Sequence, residues 1–134
     1  MIDEIRNCEI RIEGNNEQIS ILNEKIHKME ETYNKLLTLQ NTFLEHIENK
    51  QNRVNILNES CKNTRFIMEC TQESQELLTG SEVQNAGDSI EAAIKQVQYK
   101  ISMSYDEVKE LENKNQILNS RMGELDISRG MEEI

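Results

Sequence analysis

The chain is predicted to be all-α: an antiparallel two-helix coiled-coil hairpin that completes a helical bundle with a partner. Three observations predict it. Two long stretches keep an unbroken three-four spacing of seam positions. The segment between them gathers polar residues and glycines. No proline occurs in the 134 residues. A spacing that averages 3.5 is the seam of a coiled coil rather than the broader 3.6-residue stripe of a globular helix, and the absence of Pro removes the strongest helix breaker.

The first long heptad helix is assigned to residues 1–61. Its seam runs Ile5, Cys8, Ile12, Asn15, Ile19, Leu22, Ile26, Met29, Tyr33, Leu36, Gln40, Phe43, Ile47, Lys50, Val54, Leu57, Cys61. With Ile5 as heptad position a, the a positions are mostly β-branched, and d carries Leu22, Met29, Leu36, Phe43 and Leu57. The first residues fray. Gly14-Asn15-Asn16 is the weak point, because Gly costs about 1 kcal/mol relative to Ala inside a helix. The heptad phase survives it, which predicts a bend, or a late start with Asn16 as N-cap. Glutamates at f (Glu17, Glu24, Glu31, Glu45) read as a solvated outer face, and Glu24–Lys28 and Glu31–Lys35 are supporting i,i+4 pairs.

Between Leu36 and Leu44 the stripe swells: Leu36, Leu37, Leu39, Phe43 and Leu44 occupy d, e, g, d and e. A helix that buries e and g as well as a and d touches more than one neighbour. These residues, with Ile94, Ile101 and Val108 of the second helix, are the candidate partner-binding set; an intramolecular contact is the other reading.

Residues 62–88 form the connecting turn region. Cys61-Lys62-Asn63-Thr64 is polar and a poor helix former, Arg65 to Leu78 is compatible with a short helix, and Phe66, Cys70, Leu77 and Leu78 fall on its overlapping faces. Gly80 reads as a helix stop, and Asp88-Ser89-Ile90-Glu91 as a capping box that starts the second long helix, residues 89–127. Its seam is Ile90, Ile94, Val97, Ile101, Ser104, Val108, Leu111, Asn115, Leu118, Met122, Leu125. Residues 128–134, with Gly130, read as a flexible tail.

In an antiparallel hairpin an a layer of one helix faces a d layer of the other. Each seam holds one Asn, Asn15 at d and Asn115 at a, and pairing them satisfies that rule. A buried Asn pair shares a hydrogen bond, whereas Asn against Leu strands an amide, so the pair is the candidate register mark. This register sets Ile19 opposite Leu111, Leu36 opposite Ile94, and Phe43 opposite Gly87, where the missing side chain leaves room for the ring. A shift by one heptad, with the turn nearer residues 68–72, suits Gly80 better and is the competing register.

Aromatic residues are 4% of the chain and charged residues 30%, too few large side chains for a conventional core but enough for helices that each bury a seam. A net charge of −10 disfavours nucleic acid and anionic membrane as direct partners. No stretch has the roughly 18 apolar residues of a membrane span, so no membrane insertion is expected. An acidic Asp3-Glu4 start with no apolar run after it does not resemble a signal peptide, and the expected site is the cytoplasm, with departure in complex with a partner by a leaderless route left open. Cys8, Cys61 and Cys70 are an odd set without C-x-x-C; they are expected to be reduced, with no zinc site. His27 and His46 stand on one helix and cannot meet. There is no P-loop, G-x-S-x-G or H-E-x-x-H, so neither catalysis nor a cofactor is expected.

The segment Leu78-Thr79-Gly80, followed by Ala86 and then Ile90 as a second helix begins, resembles the W-x-G turn of the Esx-type helical hairpins of type VII secretion, and more closely the small helical proteins that associate with LXG toxins. Leu78 stands where that family has Trp, and the Y-x-x-x-[DE] export signal is absent, because Tyr99 and Tyr105 are followed at plus four by Met103 and Lys109. The resemblance implies a non-catalytic adaptor or targeting chaperone that binds the helical N-terminal domain of a secreted toxin, or another small helical adaptor, for export. The alternative expectation is a structural coiled-coil scaffold or tether acting as a homo-oligomer, such as a homodimer.

Overall fold

Three helices follow one another along the chain: α1 (Ile2–Ser60), α2 (Arg65–Leu78) and α3 (Ser81–Glu132). The structure is a computed structural model and describes residues 2–60 and 65–132. No strand occurs among the described residues. The seam place given to Cys61, and the polar run through Thr64, lie outside them.

Helix α1 runs 59 residues without a break at Gly14, so the late start at Asn16 does not occur. Seam contacts on both sides of Gly14 outweigh its local cost of about 1 kcal/mol. The short helix expected at Arg65–Leu78 is α2. Two boundaries differ from expectation. Helix α3 begins at Ser81 rather than at 89, so Asp88 is an interior residue and not a cap, and the helix extends through Glu132 where a loose tail was expected after 127. The first difference has a visible cause: Val83 and Gly87 continue the seam of Ile90 and Ile94 upstream in phase, and both are half-buried. The second follows from propagation, which costs little per residue once a helix exists and no Pro interrupts it.

The chain divides into two units, Met1–Glu30 with Tyr99–Ile134, and Glu31–Gln98. In the first, α1 and α3 run antiparallel. Asn15 Nδ2 donates to Asn115 Oδ1 at 2.9 Å, and Asn115 Nδ2 donates to Asn16 Oδ1 at 2.9 Å, so the two seam amides meet as the pairing rule places them. Asn115 is buried at 9% exposure. Ile26, at 3%, and Ser104, at 4%, share a layer in the same register and mark the tightest part of this seam. At the edge, Tyr105 Oη donates to Glu30 Oε1 at 2.7 Å. That hydrogen bond, aided by burial and by the carboxylate charge, holds the phenol above the ordinary tyrosine range.

In the second unit both α2 and α3 run antiparallel to α1. Gln98 Nε2 donates to Tyr33 Oη at 3.1 Å, and a Cβ placed on Gly87 would stand 3.3 Å from Phe43 Cε1. Glycine at 87 therefore gives the Phe43 ring its place. Nearer the end of α1, Gln51 Nε2 donates to Gln75 Oε1 of α2. Between α2 and α3 the chain makes a tight junction. Thr79 N and Thr79 Oγ1 both donate to the Gln75 carbonyl, at 3.0 and 2.8 Å, and the Gly80 carbonyl accepts the first bond of α3 from Gln84 N at 3.1 Å. Gly80 is required here by close approach rather than by a positive φ, which no residue adopts among those described. A Cβ at Gly80 would lie 2.9 Å from the Glu76 carbonyl oxygen. Gly80→Ala is accordingly expected to cost about 1–3 kcal/mol, since the obstructing atom is backbone and cannot swing aside. The urea unfolding midpoint checks it; an unchanged midpoint contradicts the steric argument.

Candidate protein-binding surface

The hairpin uses its seams on itself. Ile94 and Val108 are buried, at 7% and 6% exposure, and Ile101 is half-buried. These three, expected to touch a partner, belong instead to the internal seam, because a and d positions of α3 are covered by α1. Leu36 and Phe43 are also seam residues, half-buried. Of the swelling, Leu37 is half-buried, and Leu39 and Leu44 are exposed.

Leu39 and Leu44 do not form one edge. Position g lies on one flank of the a/d seam and e on the other. Five residues at about 100° each put these two side chains roughly 140° apart. Leu37 and Leu44, seven residues apart, share the e flank. A single partner helix can therefore cover Leu37 with Leu44, but not Leu39 as well.

The turn residues are also redistributed. Leu78 is half-buried at the end of α2, Gly80 is in the junction, and Ala86 is exposed within α3. Because α2 and α3 both run antiparallel to α1, the Leu78-Thr79-Gly80 junction is not where the chain reverses.

Helix α2 presents the feature that sequence reasoning missed. It turns Thr71, buried, with Gln75 and Leu78, half-buried, towards α1. Phe66 is 73% exposed, Leu77 70% exposed, and Cys70 is an exposed free thiol. Beneath α2, an open cleft of about 620 Å³ has a mixed lining that includes Val54, Asn55, Met68, Glu69, Gln75 and Glu76. Polar side chains thus share the inward face with Leu78, while Phe66 and Leu77 stand outward. The signal lay in the sequence as the i, i+4, i+11 spacing of Phe66, Cys70 and Leu77, but periodicity does not say which face an element turns to its neighbour.

Among the described residues no group of three or more His, Cys, Asp or Glu is placed to hold a metal ion, and no buried side-chain polar atom lacks a hydrogen-bond partner. Cys8 is a buried free thiol. No described helix is long and apolar enough to cross a membrane. Comparison with known proteins gives no match to a family model, to a curated protein or to a solved structure.

Proposed function

We propose that the chain is a non-catalytic helical adaptor that binds a helical protein partner by helix-on-helix burial. One observation carries this reading. With the seam closed on itself, unit Glu31–Gln98 still exposes Leu39, Leu44, Ile56, Phe66 and Leu77. So many large apolar side chains in a short span are costly to leave in water, and a partner helix that covers a flank recovers about 25 cal/mol per Å² of apolar surface. The narrower form, in which the partner is the helical N-terminal domain of a secreted toxin exported by a type VII route, rests on the resemblance around Leu78-Thr79-Gly80. The position of that junction, between two helices antiparallel to α1, departs from the family's turn. The tether alternative needs collinear helices in an extended dimer, and the antiparallel pairing within each unit weighs against it.

The test is a tagged pull-down from the native host with the bound proteins identified by mass spectrometry. Recovery of a large protein with a long helical N-terminus supports the adaptor. Recovery of the chain alone, at dimer mass, moves the reading to a structural coiled coil. Leu37→Glu with Leu44→Glu is expected to abolish capture while far-UV circular dichroism stays within a few per cent of the parent, because Leu44 is exposed and Leu37, half-buried, lies outside the a and d positions. A collapse of helicity would make the two leucines internal core.

A further inference from the structure

We infer that the outward stripe of α2 docks an amphipathic helix from a partner whose contacting edge is cationic. This rests on the reading of the chain as a binder of helices and names a second surface and its chemistry. At about 100° per residue, Phe66, Cys70 and Leu77 fall within roughly 40° of arc, and they span about three turns. That is the footprint of one partner helix laid along α2.

The charges select the occupant. Glu73, seven residues after Phe66, falls almost within the stripe, and Glu69 and Glu76, which also line the cleft beneath α2, follow on the same border. The only basic residue of α2 is Arg65, which is 3.2 Å from Glu69. On the opposite border, Lys50 and Arg53 of α1 line a shallow groove with Ser74 and Leu77. Any helix that covers Phe66 and Leu77 removes Glu73 from water, and a carboxylate desolvated without a cation is strongly unfavourable. The occupant must therefore bring Lys or Arg to that edge. A second copy packed with its α2 antiparallel does not, because that sets the two glutamate borders against each other; a parallel copy would bring Lys50 and Arg53, and dependence of protection on protein concentration reports it. An anionic membrane surface fails as the antiparallel copy does, by setting anions against that border. A helix with one cationic edge succeeds in the one of its two directions that lays that edge on Glu73 and its neighbours.

The experiment uses the full chain with Cys61→Ser, so that Cys70 is the only exposed thiol among the described residues, Cys8 being buried. The probe is an 18-residue synthetic helix with a leucine ridge, lysine along one edge and glutamine elsewhere; the control carries glutamate in place of lysine. The rate of Cys70 alkylation is the readout. The lysine-edged helix is expected to slow alkylation about tenfold or more, with the effect lost at high salt. The control meets Lys50 and Arg53 but leaves Glu73 without a cation, and is expected to bind about tenfold more weakly. Glu73→Lys should invert the preference between the two probes. Phe66→Glu with Leu77→Glu should abolish protection by either.

Equal protection by both probes, no protection, or protection that rises with protein concentration in the absence of probe would each overturn the inference, the last by making a second copy the occupant. Leu37→Glu with Leu44→Glu should leave the Cys70 footprint unchanged. Capture of a helical host protein without Cys70 protection removes this inference and keeps the adaptor. Protection by the lysine-edged probe with only the chain itself recovered from the host keeps this surface and removes the adaptor.

Discussion

Asn115→Leu is expected to destabilise the hairpin by about 1–3 kcal/mol, although it replaces a polar seam residue with the residue a coiled coil favours. Asn115 accepts from Asn15 and donates to Asn16. Asn16 is exposed and can turn to water, but Asn15 is half-buried in the seam and loses its acceptor. Stranding one buried donor costs the full desolvation of that group. The double variant Asn15→Leu with Asn115→Leu removes both amides and buries two leucines, and is expected to regain at least what the single variant loses. Urea unfolding of the parent, the two single variants and the double variant closes a thermodynamic cycle. A coupling energy near zero would mean that the amide pair does nothing for stability. The double variant gives up the mark that opposes a slip by one heptad, so it should also show more heterogeneous cross-linking between the helices.

Ile26→Ala carries the other large effect. Ile26 is 3% exposed, and the residue set across from it by the register, Ser104, is small and 4% exposed. The isoleucine fills the layer almost alone, so truncation leaves space that no neighbour is sized to fill. Large-to-small changes of this kind cost about 2–5 kcal/mol, and a two-helix layer that can partly close places the expected value at about 2–4 kcal/mol. Ile26→Val, which removes one methyl group, should cost about 0.5–1.5 kcal/mol. The measurement is the same denaturant series. Equal losses for Val and Ala would contradict a volume-controlled layer.

The two long seams were legible because the three-four alternation needs no knowledge of what lies opposite. The register was legible for a different reason. Two singular features, an Asn in each seam and a glycine facing an aromatic, agree on one alignment, and both pairings appear, Asn15 with Asn115 and Phe43 beside Gly87. Helix ends were less legible. Asp88-Ser89-Ile90-Glu91 has the composition of a cap, yet a cap works only where backbone donors are unpaired, and in a helix that starts at Ser81 the carbonyls four residues back already pair them. The binding surface was the least legible. The swelling at Leu36 to Leu44 spreads over the seam and both flanks, which counting along the chain merges. The outward stripe of α2 depends on how a 14-residue helix is rolled about its own axis. That rotation is set by the short junction at Thr79–Gly80 and by Gln51 and Gln75, not by the apolar pattern of α2 itself.

The sparse packing beneath α2 has a consequence for motion. A helix of this length is marginal alone in water, and among the described side chains α2 is held to α1 by a buried threonine, an amide pair and one leucine over an open cleft. Its local opening equilibrium therefore lies at a lower free energy than that of the α1 and α3 segments packed in the seam. Whatever covers the outer face of α2 binds the formed helix and draws that equilibrium towards it, so the two faces are linked: occupancy outside tightens the hold on α1 inside, and loosening that hold weakens the site.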